Sequence, residues 1–403
     1  MDKRIEMVRI SGNHQNEPAP AACRFGVRNA GIAFEFHRSF PEYEETPLVS
    51  LDSLAGKTGV RGIYVKDESR RFGLNAFKGL GGSFCIAKII AEKLGISEEE
   101  MRYECIADDA AKEKTGELTF VTATDGNHGR GIAWTASRLH QKSVVFMPEG
   151  SSAERLSNIC ALGAAAEITD MNYDDTVRFA KKYAEEHHAV LVQDTSWDGY
   201  EKIPADIMQG YTTMGIEIRN QLGDTVPTHI FLQAGVGAMS GAMSCFFTDL
   251  YRNQKKPVIV IAEPENADCI FRTAEADDGR LHKVTGSLHT IMAGLACGEP
   301  CGIGWAEIRR CADFSVSMKD EIAAYGMRIL GNPLGNDRKV ISGESGAAGF
   351  GLAAAILTRD EYKDIKEEIG LDRNSVVLCI STEGDTDREH YRNIVWDGRY
   401  PLC

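Results

Sequence analysis

Six short apolar runs, rich in β-branched residues, recur along the chain without the polar alternation of a half-exposed strand. They are LTFVTAT (118–124), SVVFMP (143–148), AVLVQDT (189–195), THIFLQA (228–234), PVIVIAEP (257–264) and SVVLCIST (375–382). A strand that is apolar on both sides has to be covered on both sides, which parallel sheets flanked by helices achieve. Helical patterns such as SAERLSNICALG, DDTVRFAKKYAEEH and MSGAMSCFFTDLYRNQ fall between the runs. The alternation predicts an α/β fold with mostly parallel twisted sheets flanked by helices. At 403 residues the chain is long for one core, so two domains are expected.

In such sheets ligands sit beyond the carboxyl ends of the strands. The residues just past each run are therefore the candidate site. They read DGNHGRG after the first, SWDGYE after the third, GVGAMSG after the fourth and STEGDTD at the end of the last. In HIFLQAGVGAMSG a buried strand meets Gly235, Gly237 and Gly241 as a helix begins. Backbone N–H groups approached through glycines suit a phosphate, and Val236, Ala238 and Met239 complete that loop. The segment TATDGNHGRG sets Thr124, Asp125, Asn127 and His128 among glycines, where an amide and a carboxylate can surround a planar polar ligand. Asp194 ends another strand. A tight turn or cap explains each of these motifs equally well when it is taken alone.

One further stretch, GLNAFKGLGG (73–82), places Lys78 behind Phe77 among four glycines. Lysine is the side chain that forms Schiff bases when its surroundings hold it unprotonated. A phosphate loop, an amine for an aldehyde and polar groups for a ring together fit pyridoxal 5′-phosphate.

Other classes fit less well. The net charge of −14 argues against nucleic acid or an anionic membrane surface as partner. No run of 18 apolar residues occurs, and the N-terminal stretch lacks a signal-peptide core. The 11 cysteines show no zinc spacing beyond CGEPC at Cys297 and Cys301. Reduced thiols, a cytoplasmic location and no metal are the expectation. The nucleotide loop GxxxxGK[ST] is absent. A dinucleotide reading of GVGAMSG fits loosely, with Glu263 28 residues beyond Gly235 where a ribose-binding acid is expected about 20 on.

In order and content these motifs resemble the fold type II pyridoxal-phosphate enzymes, the group of tryptophan synthase β chain, the serine and threonine dehydratases and cysteine synthase. TPLVSL (46–51) is similar to their N-terminal TPL segment, and VKDESRRFGLNAFKGLGG to the stretch that carries their Schiff-base lysine, here Lys78. TDGNHGRGIA resembles the loop whose asparagine meets the ring hydroxyl, here Asn127. AGVGAMSG stands in the place of their phosphate loop. CISTEGDTD resembles the strand end whose hydroxyl meets the pyridine nitrogen, here Ser381 or Thr382. The likeness runs from about residue 46 to 390 and implies a larger cofactor-binding domain of residues 1–80 and 205–403, a smaller α/β domain of residues 81–204, and a homodimer. It makes His289 and Glu344 secondary candidates.

GLNAFKGLGG, TDGNHGRG, QDTSWDGYEKIP and STEGDTD together resemble most closely the diaminopropionate ammonia-lyase family, which converts 2,3-diaminopropionate of either hand to pyruvate and ammonia. The resemblance implies Lys78 as base for the L-isomer, Asp125 as base for the D-isomer, and Asp194 beside the departing amino group. Two anions suit a substrate that carries an extra ammonium. Thr124, Asp125, His128 and Asp194 are then the expected substrate contacts. A serine or threonine dehydratase, or another β-elimination or β-replacement enzyme of the same fold, is the alternative. A nicotinamide-dependent dehydrogenase and a non-catalytic pyridoxal-phosphate binder are more distant ones.

Overall fold

Strand pairing divides the described residues between two sheets. The computed structural model describes residues 4–11, 24–124 and 126–402. The strands in chain order are β1 (Ile5–Arg9), β2 (Leu48–Ser50), β3 (Gly62–Asp67), β4 (Thr119–Ala123), β5 (Lys142–Met147), β6 (Ala165–Ile168), β7 (Val190–Leu191), β8 (His229–Gln233), β9 (Val258–Pro264), β10 (Phe314–Met318) and β11 (Val376–Ser381). Contacts cluster the chain into two compact units. One comprises Met1–Gly26, Thr46–Arg70 and Glu217–Cys403, and the other Val27–Glu45 and Arg71–Ile216.

The first unit holds a seven-stranded sheet in the order β1-β10-β9-β8-β11-β3-β2. Its five central strands run parallel, and the edge strands β1 and β2 are antiparallel to their neighbours. Every residue of β8, β10 and β11 is buried, as strands covered on both faces require. One cover is the helix Ala348–Thr358, AGFGLAAAILT, apolar round nearly its whole circumference and buried almost throughout. The second unit holds a four-stranded, wholly parallel sheet in the order β6-β5-β4-β7. Each of the six apolar runs contains a strand. The third run shrinks to β7, two residues long, beyond which the Val192 N–H still donates to the Val121 carbonyl at 2.8 Å and Gln193 and Asp194 follow at the sheet's carboxyl edge.

Several polar residues of the first unit are buried where apolar ones would be expected. Lys66, on β3 beside the edge strand β2, and Glu217 have no side-chain exposure, and the Lys66 Nζ lies 2.6 Å from Glu217 Oε2. The same ammonium donates to the Thr46 carbonyl at 2.6 Å and to Gln221 Oε1 at 2.9 Å. The Thr46 hydroxyl donates to buried Glu68 at 2.5 Å. A charge removed from water is tolerable only with partners of this kind. Lys66→Met should therefore destabilise the protein by about 3–5 kcal/mol by leaving Glu217 buried without its cation. Lys66→Met combined with Glu217→Leu should recover most of that loss. Denaturant titration of the three proteins checks this, and equal losses in single and double variants would contradict it.

Candidate active site

Parallel pairing of β4 with β7 sets two of the sequence's candidate segments at one edge of the same sheet. Thr124 follows β4, and Gly126 leads into the helix Asn127–Arg138. Gly126 has φ +153°, a value that L side chains rarely adopt, so the turn from strand to helix calls for glycine. The Thr124 hydroxyl accepts from the backbone N–H of Gly126 at 2.9 Å and of Gly129 at 3.1 Å, and so fixes this turn. Asn127 is the first residue of the helix and is partly exposed. Asp125 lies outside the described residues.

Lys78 stands at the N-terminal boundary of the helix Gly79–Leu94. Its ammonium donates to Asp194 Oδ2, forming an ion pair in which the lysine side chain is 21% exposed and the aspartate 6%. Nζ also lies 5.7 Å from the centre of the Phe77 ring, which packs on Tyr211. His128 Nδ1 is 3.9 Å from the same carboxylate oxygen, while its Nε2 meets the Val192 carbonyl at 2.8 Å. Burial pushes the Asp194 carboxyl up, but the adjacent Lys78 and His128 outweigh it and hold the pKa at about 2. The four sequence candidates Phe77, Lys78, His128 and Asp194 thus form one cluster, with an amine and an anion in direct contact.

Two residues that sequence reasoning passed over hold Asp194 in place. Tyr200 accepts from the Gln193 N–H at 2.9 Å and donates to the Leu191 carbonyl at 2.9 Å, bridging the end of β7. Gln193, fully buried, accepts from the Ala123 N–H at 3.0 Å and donates to its carbonyl at 3.1 Å, so it ties the Asp194 segment to β4. The signal was an aromatic residue six positions beyond a strand-end aspartate, which carries no meaning until the loop's return is known.

The first unit contributes the remaining candidates. After β8 the chain passes Gly235, Val236 and Gly237 into the helix Ala238–Leu250, which has no side-chain cap. Gly237 has φ +91°, and a Cβ there would lie 3.0 Å from Ile270. The leading N–H groups of this helix, Ala238 and Met239 among them, meet no capping side chain, which is the arrangement an anion site uses. At the end of β11, Ser381 donates to Ser342 Oγ at 2.7 Å. Thr382 instead accepts from Gln233 Nε2 at 3.0 Å, which leaves its own proton to give. His289 is exposed, with its carbonyl held by Asn266 at 2.8 Å. Glu344 is buried and accepts from His390 Nδ1 at 2.6 Å. That hydrogen bond raises the His390 pKa from its usual value.

Glu263 decides against a dinucleotide. Its two oxygens accept from the N–H groups of Ile270 at 2.8 Å and Phe271 at 2.7 Å, capping the helix Cys269–Ala276. A fully buried carboxyl group committed to a helix start presents no exposed oxygen to a ribose.

The model of the pyridoxal-phosphate dependent enzyme family matches residues 40–382. Diaminopropionate ammonia-lyase of Escherichia coli K12 is 48% identical over 381 residues, 94% of each chain. The chain belongs to the diaminopropionate ammonia-lyase family of pyridoxal-phosphate dependent enzymes. A crystal structure of the holo Escherichia coli ammonia-lyase matches with a TM-score of 0.92 at 45% identity, over 99% of this chain and 98% of that one. A second, of the same protein in complex with an aminoacrylate–PLP azomethine reaction intermediate, matches with a TM-score of 0.89 at 45% identity over the same shares. Fold type II architecture and pyridoxal phosphate as cofactor follow from this family, and the described residues fit that cofactor. An amine stands in a polar cluster, a glycine turn opens an uncapped helix, and a hydroxyl keeps its proton.

The Lys78–Asp194 pair has a pH signature in the cofactor-free protein. Asp194 titrates at about 2 in the folded chain, against an ordinary aspartate value of 3.8. A depressed carboxyl contributes its stability above the unfolded value and loses it as pH falls through the folded one. The stability advantage of wild type over Asp194→Asn should thus be flat above pH of about 4 and shrink steadily below it. Urea midpoints of the two proteins between neutral and acid pH check this; a gap that persists unchanged into strong acid would contradict it.

Proposed function

We propose that the protein eliminates ammonia from 2,3-diaminopropionate, of both hands, to give pyruvate and two ammonia molecules. The observation that carries the reading is the Lys78–Asp194 pair, an amine and a buried anion in contact at the edge shared by β4 and β7. Lys78 would hold the cofactor's aldehyde, with Phe77 beside it. Gly235, Val236, Gly237, Ala238 and Met239 would hold its phosphate, Asn127 its ring hydroxyl, and Thr382 rather than Ser381 its ring nitrogen. Bound pyridoxal phosphate supplies the electron sink for the charge left when the α-hydrogen departs.

The chain's own groups do the rest. With its nitrogen engaged by the cofactor, Lys78 no longer offers Asp194 an ammonium. The carboxylate is then a buried anion in need of a cation, and the substrate's β-ammonium is one. Once substrate has freed the Lys78 amine, that amine takes the α-proton of the L-isomer. Asp125 takes it for the D-isomer, whose α-hydrogen points to the opposite side. Asp194 keeps the β-nitrogen as an ammonium, so that it takes the Cβ–N electron pair and leaves as neutral ammonia with its three protons, while the electron pair of the former Cα–H bond closes the Cα–Cβ double bond. His128 steadies Asp194 meanwhile. Thr382 would donate to the ring nitrogen and so leave it unprotonated. The sink is then weaker, which favours prompt loss of a β-substituent. The released enamine tautomerises and water hydrolyses it to pyruvate and the second ammonia. A neutral hydroxyl substrate gains less from two anions, so serine dehydration ranks second. A cytoplasmic homodimer belongs to the same reading.

Pyruvate release from D- and L-diaminopropionate and L-serine, measured for wild type and Asp125→Asn, tests this. The diamine should exceed serine, and the variant should lose about 10²–10⁴-fold on the D-isomer with a much smaller loss on the L-isomer. Serine as the better substrate, or equal losses on both isomers, would overturn the assignment of the two bases.

A further inference from the structure

We propose that one face of the helix Asn127–Arg138, formed by Arg130, Gly131 and Trp134, is the template that sets the position of Lys78, with Arg130 as its principal tie. The inference rests on Lys78 as the reacting amine.

The loop before Lys78 does not hold its own shape. Phe72 (φ +51°), Gly73 (φ +68°) and Asn75 (φ +57°) lie in the left-handed region within four residues. For a bulky residue such as Phe72 that conformation is costly and persists only where surroundings impose it. The helix supplies three such constraints. Arg130 Nη1 donates to the Leu74 carbonyl at 3.0 Å, between the left-handed Gly73 and Asn75. The Trp134 ring, one turn along on the same face, stacks on the Phe72 ring with centroids 4.7 Å apart and planes 18° apart. Gly131 brings the helix against the lysine's own backbone. A Cβ at Gly131 would lie 3.1 Å from the Lys78 carbonyl carbon and 3.1 Å from Gly79 N and Cα.

Packing alone does not account for an arginine here. Burial of the guanidinium carries a desolvation cost that lowers its pKa from the usual arginine value. A carbonyl repays only part of that cost, and an apolar side chain of similar length would fill the space more cheaply. What arginine adds is a directed donor to one carbonyl in a loop of unfavourable backbone angles. The same helix begins at Asn127 and His128, so one rigid element carries the ring-hydroxyl and Asp194 contacts at its start and the lysine loop on its flank. Arg130 is on this account a positioning residue, acting on the reaction through Lys78.

The test compares wild type, Arg130→Met and Arg130→Lys as holoenzymes. Three readings are taken: hydrogen exchange of the backbone amides from 73 to 79, steady-state kinetics on diaminopropionate, and thermal stability. Methionine should speed exchange in that segment about 10–100-fold while the sheet amides of β4 and β5 stay protected. It should lower kcat about 10–100-fold with KM within about threefold, since the amine is displaced and substrate contacts are kept. Lysine, which retains a donor, should recover part of both. Unchanged exchange at 73–79, exchange that rises equally throughout β4 and β5, or a lysine variant no better than methionine would each overturn the proposal. Wild-type turnover of diaminopropionate in the same assay checks the functional reading separately, so the two failures are distinct.

Discussion

A single charge pair organises the chemistry of this protein. The Lys78 ammonium and the Asp194 carboxylate meet where little water reaches, and each makes the other tolerable. Such a pair can be exchanged but not simply dissolved: when the lysine nitrogen is taken up by a cofactor, the buried carboxylate calls for another cation. A substrate that differs from serine by an ammonium in place of a hydroxyl supplies it. Substrate preference and the charge state of the lysine become two consequences of one carboxylate.

The fold around the pair explains how its partners are brought together. Parallel strands all end at the same edge, so β4 and β7, far apart in sequence, deliver His128 and Asp194 to neighbouring positions. Short side-chain ties then fix what the strands only approximate. Gln193 and Tyr200 lock the Asp194 segment to β4 and β7, and the Thr124 hydroxyl fixes the turn into the next helix. On the lysine side, a helix face holds a loop whose backbone angles would otherwise relax. The reactive groups are few, and most of the site consists of residues that keep them still.

Much of this was legible in the sequence. The continuous apolar runs marked buried parallel strands, the polar residues at and past their ends included His128 and Asp194, and the glycine-rich stretch 73–82 marked Lys78. What stayed hidden has physical causes. Strand β3 reads GIYVKD, and its buried Lys66 disguised a sheet interior, because the ion pair that makes lysine acceptable there comes from residue 217. Strand β10, FSVSM, alternates as if half exposed, yet all of it is buried. The roles of Tyr200, Gln193 and Arg130 depend on backbone groups of other segments, and a hydrogen bond to a backbone carbonyl leaves no mark on the residue that accepts it. Glu263 shows the reverse case. Its place in the sequence suggested a ribose partner, and only the course of the chain to Ile270 and Phe271 reveals a helix cap.

The central claim is that Asp194 acts on the departing ammonium. It is tested most directly by changing the leaving group while keeping the same residues. β-Chloroalanine expels chloride, which needs neither a proton nor a neighbouring anion. The account predicts that Asp194→Asn lowers kcat/KM for diaminopropionate by about 10²–10⁴-fold. For β-chloroalanine it predicts a loss of at most about tenfold. Equal losses on the two substrates would show that Asp194 serves only to place Lys78, and would contradict the account.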